Sequence, residues 1–291
     1  MTEFNFRSDY QVFTGTQMID ELARVWDVNL DLGDTYKDTQ ARLKAWLDVT
    51  LNAAQQAGLL ATLDNTTPGK WEQKLTEYAP ELQRNKLIND NRDDIRHALE
   101  ARRNAALEAP TMFNNIIGQL PVKETQDLFI QHALTLGSAA TSAEESLALD
   151  PIAGSEFRVA GLKLQTLMMF ADTIGGFSGG YHGWNAMMEH DELKTLKVDV
   201  DNFGLEVKRY YTDEDKALHG RVQRAREDRV NQAIFLTNLA QGKYGNGVRL
   251  NIATKWETVA QRAQHTQQQL YRSETNNVGG GNKAKTMIAK F

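Results

Sequence analysis

LQTLMMFADTIGGFSGGYHGWNAMM, residues Leu164 to Met188, is the stretch whose reading decides the fold. It holds five glycines and a single formal charge, Asp172, in 25 residues. Leu164, Leu167, Met168 and Phe170 recur at helical spacing, which predicts the buried side of a helix. The run Gly175-Gly176-Phe177-Ser178-Gly179-Gly180 ends that helix, because neighbouring glycines accept φ > 0 and let other groups approach the backbone closely. Tyr181 to Met188 then predicts a second helix. A membrane-active hairpin over 164–188 is an alternative use of the same residues. Its uncharged run, Thr173 to Met188, is 16 residues, short of the ~20 a spanning helix needs.

On the N-terminal side the pattern is helical almost throughout. Ile19, Leu22, Val25 and Trp26 share one face. Thr35 with Asp38 has the form of a capping box for a helix carrying Tyr36, Leu43, Trp46, Leu47 and Leu51 inward, with Gly58 just past its end. Asp64-Asn-Thr-Thr-Pro-Gly69 predicts a loop. Trp71, Leu75 and Tyr78 predict a helix up to Pro80, and Asp90 or Asn91 a cap for the next, whose outer face mixes Arg92, Arg96, Glu100, Arg103 and Glu108. Met112, Phe113, Ile116 and Ile117 make an apolar patch. Leu128, Phe129, His132 and Leu136 follow as a helix in which His132 reads as a core residue. Ser142 with Glu145 has the capping pattern, and Asp150-Pro151 is the expected boundary between two halves.

On the C-terminal side the period changes. Leu196-Lys-Val198-Asp-Val200 and Leu205-Glu-Val207 alternate apolar and charged residues, predicting a β-hairpin. Val248-x-Leu250-x-Ile252 predicts a third strand that could join it. Between them, Thr212 and Asp213 cap a predicted long helix running to Gly242. Thr254-Lys-Trp-Glu257 predicts the start of a Gln-rich terminal helix with Trp256, Val259 and Ala263 buried. The whole predicts a mainly α, multi-helix bundle with a small antiparallel β element, a hairpin at about 196–208 plus a strand at about 248–252. Four regions are expected: an N-terminal arm over 1–15, a helical region over 16–150, a helical region with the hairpin over 151–275, and a Gly-rich C-terminal arm over 276–291.

Composition bounds the function. A chain of 291 residues with 41% apolar and 24% charged residues is that of a folded protein. A net charge of −5 opposes bulk attraction to nucleic acid or anionic membrane. The absence of cysteine excludes disulfides, thiolate metal sites and a cysteine nucleophile. The first 30 residues lack a basic start followed by an apolar run, so no cleavable secretion signal is expected, and virion or cytoplasm is the expected location.

Three groups of residues invite functional readings. Phe4, Phe6, Tyr10 and Phe13 space aromatics along the N-terminal arm, and Met287, Ile288 and Phe291 put an apolar tip on the C-terminal one. Both arms read as docking elements. Gly175, Gly176, Ser178, Gly179 and Gly180, with His182, form a candidate ligand cleft. Gly175-x-x-Ser178-Gly179-Gly180 resembles the glycine-rich kink in the distal helix of heme oxygenases, which would imply backbone lying over a heme. Gly176 stands where that family has an aspartate, and no histidine precedes His97. Glu156, in Gly154-Ser-Glu156-Phe157, resembles the acid of lytic transglycosylases, without the rest of that family's pattern. Arg221, Arg224, Arg226 and Arg229 form a candidate basic patch, interleaved by Glu227 and Asp228. His182 and Glu189, seven apart, could share a face that His219 joins as a third ligand, but no metal and no cofactor are expected. The expected function is a non-catalytic structural or interaction component of an assembly, of bacteriophage virion or connector type. Its partners would be protein subunits in a homo-oligomer or larger assembly. A helical ligand-binding protein or enzyme with a cleft at Gly175–Gly183 is the alternative.

Overall fold

The computed structural model describes residues 5–6, 15–55, 67–174, 182–192, 199–200, 206–207 and 212–264. In chain order the longer helices are α1 (Gly15–Trp26), α2 (Gly33–Gln55), α3 (Trp71–Asp90), α4 (Arg92–Leu107), α5 (Pro110–Ile117), α6 (Val122–Leu136), α7 (Ala143–Leu149), α8 (Pro151–Thr173), α9 (His182–Met187), α10 (Asp213–Asp228) and α11 (Gln232–Ala240). A last helical run covers 256–264. Met188–His190 (β1) pairs antiparallel with Val248–Leu250 (β4), and Asp199–Val200 (β2) pairs antiparallel with Glu206–Val207 (β3). The protein is mainly α-helical with a small β element, as its periodicity predicts.

The stripe at Leu164, Leu167, Met168 and Phe170 belongs to α8, around which the core is built. Asp150 starts this helix: its carboxylate accepts from the N–H groups of Ile152 and Ala153, each at 3.0 Å. Pro151 follows at the first position, where no donor is needed. α8 packs against α1, α6, α7, α9 and α11, and Phe157, Leu164, Leu167, Phe170 and Ala171 are all buried. One continuous hydrophobic cluster runs through it, from Phe6 to Val259.

Phe6 is part of that cluster. It is 6% exposed, and its ring meets Phe129 and Phe157 edge-on at 5.8 and 5.5 Å between centroids. Those two rings stack on each other at 4.7 Å. Gly161 makes room for it, since a Cβ there would lie 2.5 Å from the Phe6 ring. Beside it, Gln165 Nε2 donates to Asn5 Oδ1 at 2.9 Å and to Gln232 Oε1 at 3.0 Å. This residue therefore packs on its own chain; Phe4, Tyr10, Phe13, Met287, Ile288 and Phe291 lie outside the described residues.

Several local expectations are corrected by tertiary context. α2 begins at Gly33 rather than at Thr35, with Asp31 Oδ1 accepting from Gly33 N–H at 2.9 Å. α3 continues through Pro80; one missing N–H is tolerated in a helix that is largely in water. Asn91 precedes α4, but its side chain donates to Leu87 O at 2.8 Å instead of capping. The predicted long helix after Thr212 breaks at 229–231, where Asn231 Oδ1 caps α11 by accepting from Ile234 N–H at 3.1 Å. β4 pairs with Met188–His190 and not with the β2–β3 pair. The terminal helix receives its cap from afar, the Trp256 N–H donating to Asn114 Oδ1 at 2.7 Å.

α2, α3 and α4 form a separate leaf. α2 packs chiefly on α4 and more lightly on α3, around Leu43, Thr50 and Ile88. Of the three helices only Leu107 is a buried member of the main cluster. The α1–α2 connection is tied to α5 by Asp31, whose N–H donates to Gln119 Oε1 at 2.7 Å and whose carbonyl accepts from Asn115 Nδ2 at 2.5 Å.

The Phe6 socket predicts strong coupling between two residues far apart in sequence. Phe6→Ala should cost about 3–4 kcal/mol by cavity formation. Gly161→Ala should destabilise by a comparable amount in the wild type, by evicting the ring, and by under about 1 kcal/mol once Phe6 is alanine. Urea denaturation of the single and double variants measures this coupling.

Candidate functional site

The residues flanking the glycine break meet through one carboxylate. Asp172 Oδ1, near the end of α8, accepts from the Gly183 N–H at 2.7 Å, in the first turn of α9. The approach requires glycine: a Cβ at 183 would lie 2.2 Å from Met168 O and 2.8 Å from Asp172 Oδ2. Burial pushes the Asp172 carboxyl up to about 6, partly opposed by the Gly183 N–H and the charge of Arg229. His182 lies against Trp256, with ring centroids 4.9 Å apart, and burial holds its pKa below the usual range. Gly175, Gly176, Ser178, Gly179 and Gly180 lie outside the described residues. What the described part provides is a clasp, the Asp172 carboxylate holding a backbone N–H across the break.

The acidic and histidine cluster after α9 is organised as sheet rather than helix. α9 ends at Met187, so Glu189 does not share a helical face with His182. Glu189 Oε2 accepts from Arg249 Nε at 2.8 Å and from Asn251 Nδ2 at 2.9 Å, while Arg249 Nη1 reaches Asp191 Oδ1 at 3.1 Å. These pairs cross the β1–β4 register and hold it. Among the described residues no three His, Asp or Glu side chains come together as a metal-holding group.

The four arginines do not form one patch. Positions 221, 224, 226 and 229 point in different directions around a 3.6-residue helix and its end. Arg221 turns to Glu214, in a cleft of about 320 Å³ also lined by Asp191, Glu192 and Asp215. Arg224 is exposed, and the charge of Arg229 acts on Asp172. Asp228, between them, accepts from Tyr244 Oη at 2.8 Å and Asn238 Nδ2 at 3.1 Å.

His132 is 8% exposed, and its Nε2 lies 2.9 Å from Glu156 Oε2. Glu156 sits on the outer face of α8, half in solvent. It borders a recess of about 160 Å³ lined by Thr125, Leu128, Ser155, Val159, Ala160 and Lys163. That environment is an open surface groove, without a second carboxylate in its lining.

The features that the motifs did not point to are apolar and exposed. Leu47, Leu51, Leu75, Leu87 and Ile95 stand out from the leaf, and Ile152 and Val159 from α8. The signal was present as an excess of apolar residues: α2 carries Leu43, Leu47 and Leu51 at successive i+4 steps, while Leu43 is the one of them that its neighbours bury. Among the described residues no helix is long and apolar enough to cross a membrane. Comparison with protein-family models, curated proteins and solved structures finds no match to this chain.

Asp172 and His182 impose opposite pH dependences. A carboxyl raised from 3.8 to about 6 favours the protonated folded state. Its contribution is therefore complete below about pH 4 and is lost as pH rises through 6. The depressed His182 favours the neutral form, so its contribution is present above about pH 6.5 and is lost as pH falls through its folded value. Asp172→Asn keeps an acceptor for Gly183 and removes the charge. It should stabilise the protein at pH 8, by less than the full pKa shift because solvent reaches the carboxylate, and by little at pH 4, measured by urea denaturation at the two pH values.

Proposed function

We propose that this protein is a non-catalytic subunit of a macromolecular assembly, and that it docks to neighbouring protein chains through the α2–α4 leaf. The observation that carries this reading is the leaf's exposed apolar surface. Leu51 is 56% exposed and Leu87 66%, with Leu47, Leu75 and Ile95 also in the exposed class. Among the described residues, three helices of 23, 20 and 16 residues share very few buried apolar side chains, and helices draw most of their stability from packing an apolar face. A neighbour that covers the leaf would add to that packing. Apolar side chains exposed on each of three thinly packed helices offer a partner apolar area to cover.

The charges of the leaf support the same reading. Arg42 pairs with Asp38 at 2.7 Å, Lys74 with Glu77 at 2.7 Å and Arg96 with Asp93 at 3.3 Å, all within their own helices. Such pairs are weak in water, and they leave the apolar side chains as the distinctive feature offered to a partner. The more specific reading, a bacteriophage virion or connector subunit, is supported by the sequence alone, through Phe4, Tyr10 and Phe13, the Gly-rich stretch over 276–291 and the Gln content of 261–269.

Size-exclusion chromatography with light scattering tests the proposal. The wild type should form a defined oligomer, and Leu51→Glu with Leu75→Glu should at least halve its mass while leaving the far-UV circular dichroism unchanged. A wild type that stays monomeric at its highest soluble concentration, or an oligomer indifferent to both substitutions, would overturn it.

A further inference from the structure

We propose that the outer stripe of α8 is a two-fold interface. Two copies of this chain would pack α8 against α8 antiparallel, with Val159 of each seated over Ala160 of the other and Glu156 of each facing Lys163 of the other. The proposal rests on the assembly reading and names one contact and its partner, a second copy of the same chain.

The first support is shape. α8 is buried on most of its circumference, yet Ile152 is 73% exposed and Val159 54%, on the face that also carries Ser155 and Glu156. The recess beside Val159 is lined by Glu156, Val159, Ala160 and Lys163, with Thr125 and Leu128 from α6 and Ser155 as its edges. Positions i, i+3, i+4 and i+7 of one helix are the four corners of the hole that receives a side chain from a facing helix. Ala160 forms the floor, and the volume of about 160 Å³ leaves room for a branched aliphatic side chain above it.

The second support is charge. A two-fold contact must be self-complementary, each patch meeting its own copy in reverse. Glu156 and Lys163 are seven residues apart, about 10 Å along the axis, and Val159 and Ala160 lie midway between them. Antiparallel pairing about that midpoint brings each carboxylate to an ammonium, whereas parallel pairing brings like charges together. Within the chain, Glu156 meets His132 and Lys163 lies over the Trp26 ring at 5.6 Å. Both contacts hold the charged groups at the rim of the recess, where rim charges set register and partner choice.

The chain has no cysteine, so a single introduced thiol reports the axis directly. A disulfide requires Cα atoms within about 7 Å, a condition that an axial position meets and a remote one does not. Val159→Cys should give a disulfide-linked dimer under mild oxidation of the full chain, and Val230→Cys, at a position 88% exposed, should give essentially none. Glu156→Lys and Lys163→Glu should each weaken dimerisation roughly tenfold, since each creates two like-charge contacts. Mixing the two variants should restore it, because every cross-contact then joins opposite charges. That rescue separates the interface from the loss of the His132 contact, which mixing does not repair. No excess of dimer for Val159→Cys over Val230→Cys, or a mixture no tighter than its components, would overturn the interface. If the leaf variant still lowers the oligomer mass in that case, the two-fold contact falls and the assembly reading stands; if neither experiment responds, both fall.

Discussion

The close approach of other chain segments to α8 is the constraint on which the architecture rests. At Gly161 the absent side chain is replaced by the Phe6 ring, and at Gly183 the backbone of α9 comes down on the Met168 carbonyl. Each contact joins residues that only meet once α8 is in place, and each turns a missing Cβ into packing between elements. Aromatic rings extend the effect outward: Phe113 stacks with Phe170 at 6.1 Å, and Trp256 meets Phe113 edge-on at 5.4 Å. Helices from both sides of Asp150 thus share a single apolar interior, and the cap at Asp150 fixes where its central helix starts.

Stability is distributed unevenly over this plan. On the inner face of α8 the apolar side chains are covered, and buried polar groups such as Thr166 and Thr237 return their hydroxyls to carbonyls one turn earlier. Among the described residues the leaf's interior is smaller, Leu43, Thr50 and Ile88, with Thr50 Oγ1 donating to Leu47 O at 2.9 Å and Trp46 Nε1 to Arg92 O at 3.2 Å. Regions with few buried apolar contacts open more readily than the core they hang from.

What the sequence made legible follows the range of the interactions. Local signals were sound: the stripe from Leu164 to Phe170, the Ser142 cap accepting from Glu145 N–H at 3.3 Å, and the Thr212 cap accepting from Asp215 N–H at 3.1 Å. Signals that depended on distant partners were not. Met188–His190 becomes a strand because Val248–Leu250 lies alongside it, 60 residues later, and nothing in Met-Glu-His announces this. Trp256 is capped by Asn114, 142 positions earlier, so the local capping pattern marks the right boundary with a different acceptor. Phe6 looked like a free aromatic because its socket is assembled from α6 and α8. At the candidate site, Asp172 was visible as the one charge in its segment, but its bond to Gly183 depends on how the chain returns after the glycines. The outer face of α8 was hidden by its inner one: a helix rich in apolar residues on both sides yields one wide arc, in which Val159 cannot be told from Phe157 by type alone.

The Phe6 socket also orders events in time. Synthesis proceeds at about 5–20 residues per second, so Phe6 leaves the ribosome on the order of 10–30 s before Gly161 exists to receive it. Through that interval the N-terminal half carries Phe129 without its closing ring, and α1 and α6 wait for the helix that joins them. Completion of α8 is the step that closes the Phe6 socket.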